Sequence, residues 1–279
     1  MLPLEGFTRV EYVEVRDEDA DPSTLLTRGR ADITMDSATA LVAALDHQDP
    51  ITVLAGVHGG CYELFGSKQV RAIRDLKGRR IAISATGSAD HIYISSMLAY
   101  VGVNPTRDVQ WVGTGNFEGP KDLFIQGKVD AFLGFPPQPQ EMRAKKIGHV
   151  IVNTSQDRPW SQHFCCMIAG NRDFVRRHPI ATKRVMRAIL KAADLCVANP
   201  AQAARFIVDK GYEANYDIAL EVVTDVSYKS WRTFDPEDTL RFHALRLHEV
   251  KMSKTDPNKL IAQGTDWHYL AELKRELKV

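Results

Sequence analysis

Ile81-Ala82-Ile83-Ser84-Ala85-Thr86-Gly87-Ser88 is the stretch that decides the fold class. Its first three residues form a short apolar run that predicts a buried strand, and Thr86-Gly87-Ser88 then opens a helix that extends to about residue 100. Further strands are expected at residues 109–112, 129–133 and 149–152, with helical segments between them. This alternation over residues 79–153 predicts an α/β fold with mostly parallel strand pairing.

The chain before this unit repeats the alternation. Residues 9–15 alternate polar and apolar side chains, which predicts a half-buried strand, and further strands are expected at 31–35 and 51–57. Asp36-Ser37 supplies an N-cap for an apolar helix at 38–45. The first third of the sequence therefore also predicts an α/β unit.

The last third of the chain has a different pattern. One strand is expected at 164–169, and helices follow it, including an amphipathic helix at 180–198 and a tail helix at 264–279. At about 100–200 residues per domain, a chain of 279 residues has room for one large or two small domains. The segment order favours two lobes.

Composition excludes several classes of protein. The 36 Lys and Arg residues balance 35 Asp and Glu residues, so no basic excess indicates nucleic-acid binding. The apolar runs are shorter than the roughly 18 residues that a membrane span needs. Four cysteines do not predict a disulfide scaffold. The first residues lack a basic region and an apolar run, so the sequence as given predicts no signal peptide.

The search for catalytic motifs is negative. Gly113-Thr114-Gly115 begins like a dinucleotide-binding loop, but Glu118 stands where the third glycine belongs. His58-Gly59-Gly60 is similar to an oxyanion-hole segment, yet no G-x-S-x-G nucleophile motif accompanies it. The sequence has no phosphate-binding G-x-x-x-x-G-K-[ST] loop. These absences predict a protein without a catalytic constellation.

His163-Phe164-Cys165-Cys166 is the segment most suggestive of a metal site. On a strand, His163 and Cys165 share one face and Cys166 points to the other. Two ligands on one face are too few for a structural zinc site. We therefore interpret these cysteines, like Cys61 and Cys196, as small apolar core residues, and we expect neither a metal site nor a cofactor.

Small or polar residues follow five predicted strands, and this pattern indicates a ligand site because open α/β sheets bind ligands beyond the carboxyl ends of strands. Thr86-Gly87-Ser88 is the sharpest case, since hydroxyls and free N–H groups at a helix N-terminus suit an anionic or carbonyl group. The alternative is that Ser84 or Thr86 only caps the helix. The five segments are Asp36-Ser37, His58-Gly59-Gly60, residues 84–88, Gly113-Thr114-Gly115-Asn116 and Gly134-Phe135-Pro136.

Aromatic side chains near these loops bear on the ligand. Phe135 and Trp160 are candidates for stacking on a flat ligand, although ordinary core packing explains them as well. His91 lies one helical turn after Ser88 and either reaches the same place or faces solvent. The five loops contain no arginine or lysine, which argues against a doubly charged anion. We expect an aromatic, heterocyclic or singly charged organic anionic solute.

Three segments resemble one family of bacterial solute-binding proteins. Residues 26–33 resemble its L-x-x-G-x-x-D-I step, residues 75–83 its D-L-K-G-K-x-I-A turn, and residues 124–132 its L-x-x-G-x-V-D-A segment. Their order and spacing resemble the NMT1/THI5-like group, which includes nitrate, sulfonate and taurine binding proteins of ABC importers. The resemblance covers most of residues 20–210.

The resemblance implies a type II periplasmic-binding-protein fold, in which two α/β lobes joined by a two-strand hinge close over a small molecule. Lobe one would comprise residues 1–79 and 158–279, and lobe two residues 80–157. It also implies a periplasmic monomer that works with an ABC importer permease. The ligand-binding residues it implies are Asp36, Ser37, Ala38, His58, Gly59, Thr86, Gly87, Ser88, Thr114, Asn116, Phe135 and Pro136.

The start of the chain departs from the family pattern. The family begins with a strand and a helix before the segment that here starts at Gly6. We therefore expect lobe one to lack its central strand, with a gap between the strands predicted at 9–15 and 31–35.

Two further functions stay open. The first is a pyrimidine-precursor synthase or decarboxylase on the same fold, which would draw its chemistry from His58, Cys61, His91 and His163. Enzymes of that kind in the family carry a cysteine-rich iron-binding motif, which Cys165-Cys166 matches at most in part. The second is a ligand-free sensor or interaction subunit, whose cleft would be filled by its own side chains.

Overall fold

The computed structural model describes residues 1–16, 19 and 21–278. It contains two β-sheets surrounded by helices. The strands are β1 (Ile33–Ser37), β2 (Ile51–Gly59), β3 (Glu63–Gly66), β4 (Arg80–Ile83), β5 (Gln110–Gly113), β6 (Ala131–Gly134), β7 (His149–Asn153) and β8 (Phe164–Asn171).

Helices fill most of the remaining chain. Among the helices that the structure describes, none is long and apolar enough to cross a membrane. They are α1 (Pro22–Thr27), α2 (Ala38–Asp46), α3 (Ala89–Tyr100), α4 (Gly119–Ile125), α5 (Gln138–Ala144), α6 (Arg172–Arg177), α7 (Pro179–Ala198), α8 (Pro200–Asp209), α9 (Tyr216–Asp225), α10 (Pro236–Glu249), α11 (Pro257–Gly264) and α12 (His268–Glu276).

Each sheet takes in one strand that runs against its neighbours. The first sheet has the order β1-β8-β2, and the second has the order β5-β4-β6-β3-β7. In the first sheet β8 is antiparallel to both neighbours, as β3 is in the second, whereas β4 is parallel to β5 and β6. The prediction of mostly parallel pairing is wrong. The chain reaches β3 and β8 directly from the other sheet, and each of these strands runs antiparallel to both of its neighbours.

Two short passages connect the sheets, at residues 60–62 and 154–163. They are hydrogen-bonded to each other, since Tyr62 N donates to Thr154 Oγ1 at 3.0 Å and Ser155 Oγ donates to the Gly60 carbonyl at 2.9 Å. Gly60 is required here, because its φ is +35° and a Cβ would lie 2.3 Å from the Ser155 backbone. The second sheet begins with β3, ahead of the lobe boundary predicted at residue 79.

Each sheet has its own apolar core. Leu41 of α2, Leu190 of α7 and Leu247 of α10 pack with Leu54 of β2 and with Trp231, all of them buried. Below the second sheet, α3 packs its apolar side chains against β3, β4 and β6. Burial of these side chains from water stabilises both units, by about 1.5–3 kcal/mol for each large side chain. The two cores are in contact, since Cys165 of β8 packs with the second core and Ile92 of α3 with the first.

The segment 9–15 is not a strand. All of it is exposed except Val13, and β1 pairs with β8 and with no other described strand. The strand prediction there is wrong, because an alternating pattern needs a neighbouring strand to supply hydrogen bonds, and no described strand lies beside it. The segments 9–15 and 31–35 are not paired with each other, but the predicted gap between two strands is not tested, because only the second of these segments contains a strand.

The structure also contains elements that the sequence analysis missed. Strand β3 is buried at all four residues, so it shows no alternation, and α9 and α11 gave no recognised signal. The predicted tail helix appears as α12, which ends at Glu276. The last residue of that prediction, Val279, lies outside the described residues.

Candidate functional site

A cavity of about 430 Å³ lies between the two sheets. It is bordered by the carboxyl end of β1, at Ser37, and by the segments that follow β4, β5 and β6, which end at Ile83, Gly113 and Gly134. The carboxyl ends of strands in α/β sheets are where ligands commonly bind. The cavity is therefore the candidate ligand-binding cleft.

Residues predicted from three of the strand ends and from the turn before α3 line this cavity. They are Asp36, Ser37, Ser88, Asn116 and Phe135. Asp36 and Ser37 are buried at the end of β1, and Ser37 Oγ caps α2 by accepting a hydrogen bond from Ala40 N at 3.1 Å. The predicted N-cap is thus confirmed, and the five residues remain candidate ligand contacts.

The cavity wall also includes residues that the sequence analysis did not select. Phe117 directly follows a predicted glycine-rich loop, so extending each predicted loop by one residue would have included it. Arg16 and Asp21 come from a segment that carries no loop signal of this kind. The most informative of the missed residues are Arg16, Asp21, Tyr62, Phe117 and Cys166.

The Thr86-Gly87-Ser88 turn is largely occupied by the protein itself. Thr86 and Gly87 are exposed and do not line the cavity. The Ser88 hydroxyl donates to the Ala85 carbonyl at 2.6 Å, and Ala89 N donates to Oδ1 of Asp21 at 3.0 Å. A carboxylate of the protein therefore takes the place that we predicted for an anionic ligand at the start of α3.

Four other predicted residues also lie off the cavity wall. Ala38 is fully buried in the first turn of α2, and Gly59 donates its N–H to the carbonyl of Ser227 at 3.2 Å. Thr114 uses its hydroxyl for a carbonyl within its own loop. Pro136 forms a cis peptide bond with the next proline. The structure therefore does not bring these four residues to the cavity wall.

The two predicted ring residues His91 and Trp160 pack inside the protein. His91 is buried, its ring lies edge-on to Trp111 at 4.7 Å, and its Nδ1 accepts a hydrogen bond from Gly87 N at 3.0 Å. Burial lowers the pKa of His91. Trp160 is buried against Tyr100, with ring centroids 5.3 Å apart. Neither ring is on the cavity wall, so core packing is the better explanation for Trp160.

Asp36 is the most strongly perturbed acid in the cleft. Its carboxyl accepts hydrogen bonds from Ser23 N at 2.8 Å and from Ser37 N at 2.7 Å. Burial raises the pKa of Asp36 to about 8, and the nearby charge of Asp21 acts in the same direction. At neutral pH the cleft therefore holds Asp36 mainly in its protonated form.

Asp21 is the second perturbed acid. Burial raises the pKa of Asp21 to about 6, against the lowering effect of the hydrogen bond from Ala89 N, and the charge of Asp90 adds to the rise. Asp90 is itself engaged by Ser84, whose N–H donates to it at 2.7 Å. At neutral pH this part of the wall therefore presents an ionised Asp21 and a mainly neutral Asp36, and Arg16 lines it as well.

The opposite part of the wall is aromatic. The Phe135 ring lies 5.4 Å from Tyr62 and 5.9 Å from Phe117, measured between centroids. Phe117 is 49% exposed, so its ring is accessible to a ligand. Rings at these distances form a surface on which a flat molecule can stack.

The residues that an enzyme would need are not gathered in the cavity. His58, Cys61, His91 and His163 are all buried, and none of them is among the described residues of its wall. His163 stacks on Phe242 with centroids 4.2 Å apart. None of these four side chains therefore borders the candidate cleft in this structure.

The cysteines are arranged differently from the prediction. Cys165 and Cys166 place their Sγ atoms 3.9 Å apart, although we expected neighbouring strand residues to point to opposite faces. The register between β2 and β8 shifts on both sides of His58, next to Cys166, so the regular alternation is disturbed there. His58 and Cys61 join these cysteines in one cluster, and His163 does not.

Comparison with known proteins identifies relatives of two kinds. Residues 8–203 match the family model described as "NMT1/THI5 like". The 4-amino-5-hydroxymethyl-2-methylpyrimidine phosphate synthase THI5 of Saccharomyces cerevisiae is 24% identical over 214 residues, which are 72% of this chain and 62% of the yeast protein. The taurine-binding periplasmic protein of Escherichia coli is 25% identical over 188 residues, 66% of this chain and 57% of that protein. The chain thus spans less than two thirds of either relative.

A solved structure shows the same fold. The alkanesulfonate-binding protein SsuA from Xanthomonas axonopodis pv. citri, bound to MOPS, matches with a TM-score of 0.69 at 16% sequence identity. The match covers 87% of this chain and 83% of that one. The predicted type II periplasmic-binding-protein fold is confirmed.

Proposed function

The chain belongs to the NMT1/THI5-like family, and from this premise we propose that it is the solute-binding protein of an ABC importer. The family includes substrate-binding proteins of ABC transport systems. The observation that carries the proposal is the cavity of about 430 Å³ between the two sheets, whose wall both sheets supply. A molecule bound there contacts both units, so it stabilises the arrangement in which they are closed.

The wall also suggests the class of solute. Phe117, Phe135 and Tyr62 offer a stacking surface, whereas Asp21 and Asp36 offer carboxyl groups. A flat heterocycle with N–H or amino donors suits both surfaces. A singly charged organic anion is less well matched, because the Asp21 carboxylate already accepts from the first N–H of α3.

Closure would occur at the two hydrogen-bonded passages, residues 60–62 and 154–163. In this proposal lobe one carries the first sheet and lobe two the second, so the first boundary moves from residue 79 to about residue 60. The periplasm, an importer permease and the monomeric state belong to the same proposal, and the taurine-binding periplasmic relative supports the first.

The second candidate is an enzyme of the pyrimidine-precursor synthase or decarboxylase kind. The observation in its favour is the similarity to the yeast synthase, which is 24% identical over 214 residues. The buried positions of His58, Cys61, His91 and His163 away from the cavity wall argue against it.

A ligand screen by thermal unfolding and calorimetry tests the proposal. Aminopyrimidines and other heterocycles, taurine, alkanesulfonates and nitrate would each be added to the purified chain. A true solute at about 100 times its Kd should add about 2.7 kcal/mol to the free energy of unfolding. Turnover of a compound, followed by mass spectrometry, would favour the enzyme.

Phe135→Ala should weaken the response to an aromatic solute. Phe206→Ala is the matched control, because Phe206 is 58% exposed on α8 and is not on the cavity wall. Binding that is equally strong in both variants, or no stabilisation by any compound, would count against a solute-binding cleft here.

A further inference from the structure

Four metal-ligating side chains lie together beside the cleft, and we call them the Cys–His cluster. They come from three segments that are distant in the sequence: His58 from the end of β2, Cys61 from the passage that follows it, and Cys165 and Cys166 from β8. All four are at most 9% exposed. None of these cysteines forms a disulfide.

The distances within the cluster suit tetrahedral coordination. One ligand atom from each residue lies within 4.8 Å of all the others, and the two vicinal Sγ atoms are 3.9 Å apart. A tetrahedral Zn²⁺ with Zn–S bonds of about 2.3 Å would place two sulfur ligands about 3.8 Å apart. Small side-chain adjustments would therefore bring all four atoms into contact with one ion.

His58 supplies an independent observation. It is 7% exposed, and its Nδ1 has no hydrogen-bond partner among the described residues. Buried polar atoms are almost always paired, because an unpaired one costs about 1–3 kcal/mol. A bond from Nδ1 to a metal ion would give this buried atom a partner. If the other ring nitrogen bound the metal instead, the ring would turn and Nδ1 could find a new hydrogen-bond partner.

We propose that the Cys–His cluster binds one Zn²⁺ through three thiolates and one imidazole. Three thiolates and an imidazole are a soft donor set that prefers Zn²⁺ to hard cations such as Mg²⁺ or Ca²⁺. Each thiol loses its proton to the solvent when its Zn–S bond forms, so binding releases up to three protons.

With four protein ligands the site is closed, which is typical of structural rather than catalytic zinc. The ion would cross-link β2, the passage at residues 60–62 and β8, at the point where the chain leaves the first sheet. Cys166 also lines the cavity, so the ion would hold part of the cleft wall in place. The proposal stands whether the cleft binds a solute for import or not.

The cluster differs from a run of neighbouring cysteines in one segment. Its His58 and Cys61 ligands lie about one hundred residues before Cys165, and the fold alone brings them together. The site therefore depends on the passage between the sheets, which no local motif encodes.

Metal loading of the full chain tests the proposal. Protein stripped with a chelator would be titrated with ZnCl₂, and separately with Co²⁺, whose visible spectrum reports tetrahedral thiolate ligation. We expect one equivalent of Zn²⁺ per chain, an intense tetrahedral Co²⁺ spectrum that Zn²⁺ abolishes, and a higher unfolding temperature with Zn²⁺. Less than one equivalent, iron in place of zinc, or a weak octahedral Co²⁺ spectrum would overturn the assignment.

Cysteine variants locate the site. Cys61→Ser and Cys165→Ser should each weaken Zn²⁺ binding by more than about tenfold, whereas Cys196→Ser should not change it. Cys196 is the matched control, because it is a half-buried free cysteine on α7 outside the cluster. Equal weakening in Cys196→Ser would refute the ligand set. If the cluster variants fail to fold, the Co²⁺ spectrum of the wild-type chain still decides.

Discussion

The two halves of the cleft wall differ in chemistry. The half near the first sheet contributes Asp21 and Asp36, two carboxyl groups whose pKa values burial raises. The half near the second sheet contributes Phe117 and Phe135, and its own carboxyl, Asp90, is held by serine hydrogen bonds. From this difference we predict that one half recognises polar groups in a pH-dependent way and that the other provides stacking. Each half can be altered separately.

The largest expected effect concerns the pH dependence set by Asp36. Its pKa rises from 3.8 to about 8 on folding, so between these values the unfolded chain has lost a proton that the folded chain keeps. The free energy of unfolding should therefore fall as pH rises from about 4 to about 8, by at most about 1.4 kcal/mol per pH unit, and level off above.

Asp36→Asn removes this titration and keeps one acceptor oxygen. Urea unfolding at a series of pH values should show a flatter curve for Asp36→Asn than for the wild type. Asp32→Asn is the control, because Asp32 is exposed just before β1. Equal slopes in the wild type and Asp36→Asn would show that the acidic half of the cleft is not pH-dependent in this way.

The next effect concerns the aromatic half. Phe135→Ala removes a ring that contacts both Tyr62 and Phe117. Affinity for a flat aromatic solute should fall by about 1–1.5 kcal/mol, or about fivefold to tenfold, while affinity for an aliphatic sulfonate stays the same. Calorimetry with both kinds of compound measures the difference. A parallel loss for both would mean that the ring shapes the cleft and does not stack on the solute.

A smaller effect is expected where the halves meet. Ala89 N, at the start of α3, donates a hydrogen bond to the Asp21 carboxylate at 3.0 Å. Asp21→Ala removes this acceptor and leaves the N–H available to a ligand. A helix N-terminus attracts an anion by about 0.3–1 kcal/mol, so affinity for a small sulfonate should rise by up to about fivefold. Asp21→Asn keeps the acceptor oxygen and should change the affinity less. An unchanged affinity in Asp21→Ala would show that the carboxylate does not block an anion site.

The last effect concerns the turn before α3 and is on stability, not on affinity. Ser88→Ala removes the hydroxyl that donates to the Ala85 carbonyl at 2.6 Å. The free energy of unfolding should fall by about 0.5–1.5 kcal/mol, as measured by urea unfolding. Thr86→Ala, at an exposed position of the same turn, should cost less. The reverse order would mean that Thr86, and not Ser88, organises the turn.

Several parts of the fold and site followed from local patterns. The strand and helix order from β4 to β8 was predicted, as was the Ser37 cap of α2. Five predicted residues line the cavity because they lie at the carboxyl end of β1 or in the loops that follow β4, β5 and β6, which meet at the cleft. The type II fold was expected from the three family-like segments and was confirmed by the comparison.

Other parts could not be predicted, because they depend on contacts between distant segments. Residues 9–15 have the alternation of a strand, yet no described strand lies beside them. Strand β3 was missed because its burial on both faces removes the alternation. His163 was paired with the cysteines by its position in the sequence, whereas the structure supplies His58.

The sequence by itself determined most of the strands and helices, among them the series from β4 to β8 and the Ser37 cap of α2, because side-chain periodicity and capping act over a few residues. The tertiary structure decided the rest. It set the antiparallel entry of β3 and β8, placed the Asp21 carboxylate at the start of α3 and gathered the Cys–His cluster. These features join residues tens to more than one hundred positions apart, and only the packing of the two units brings them within bonding distance.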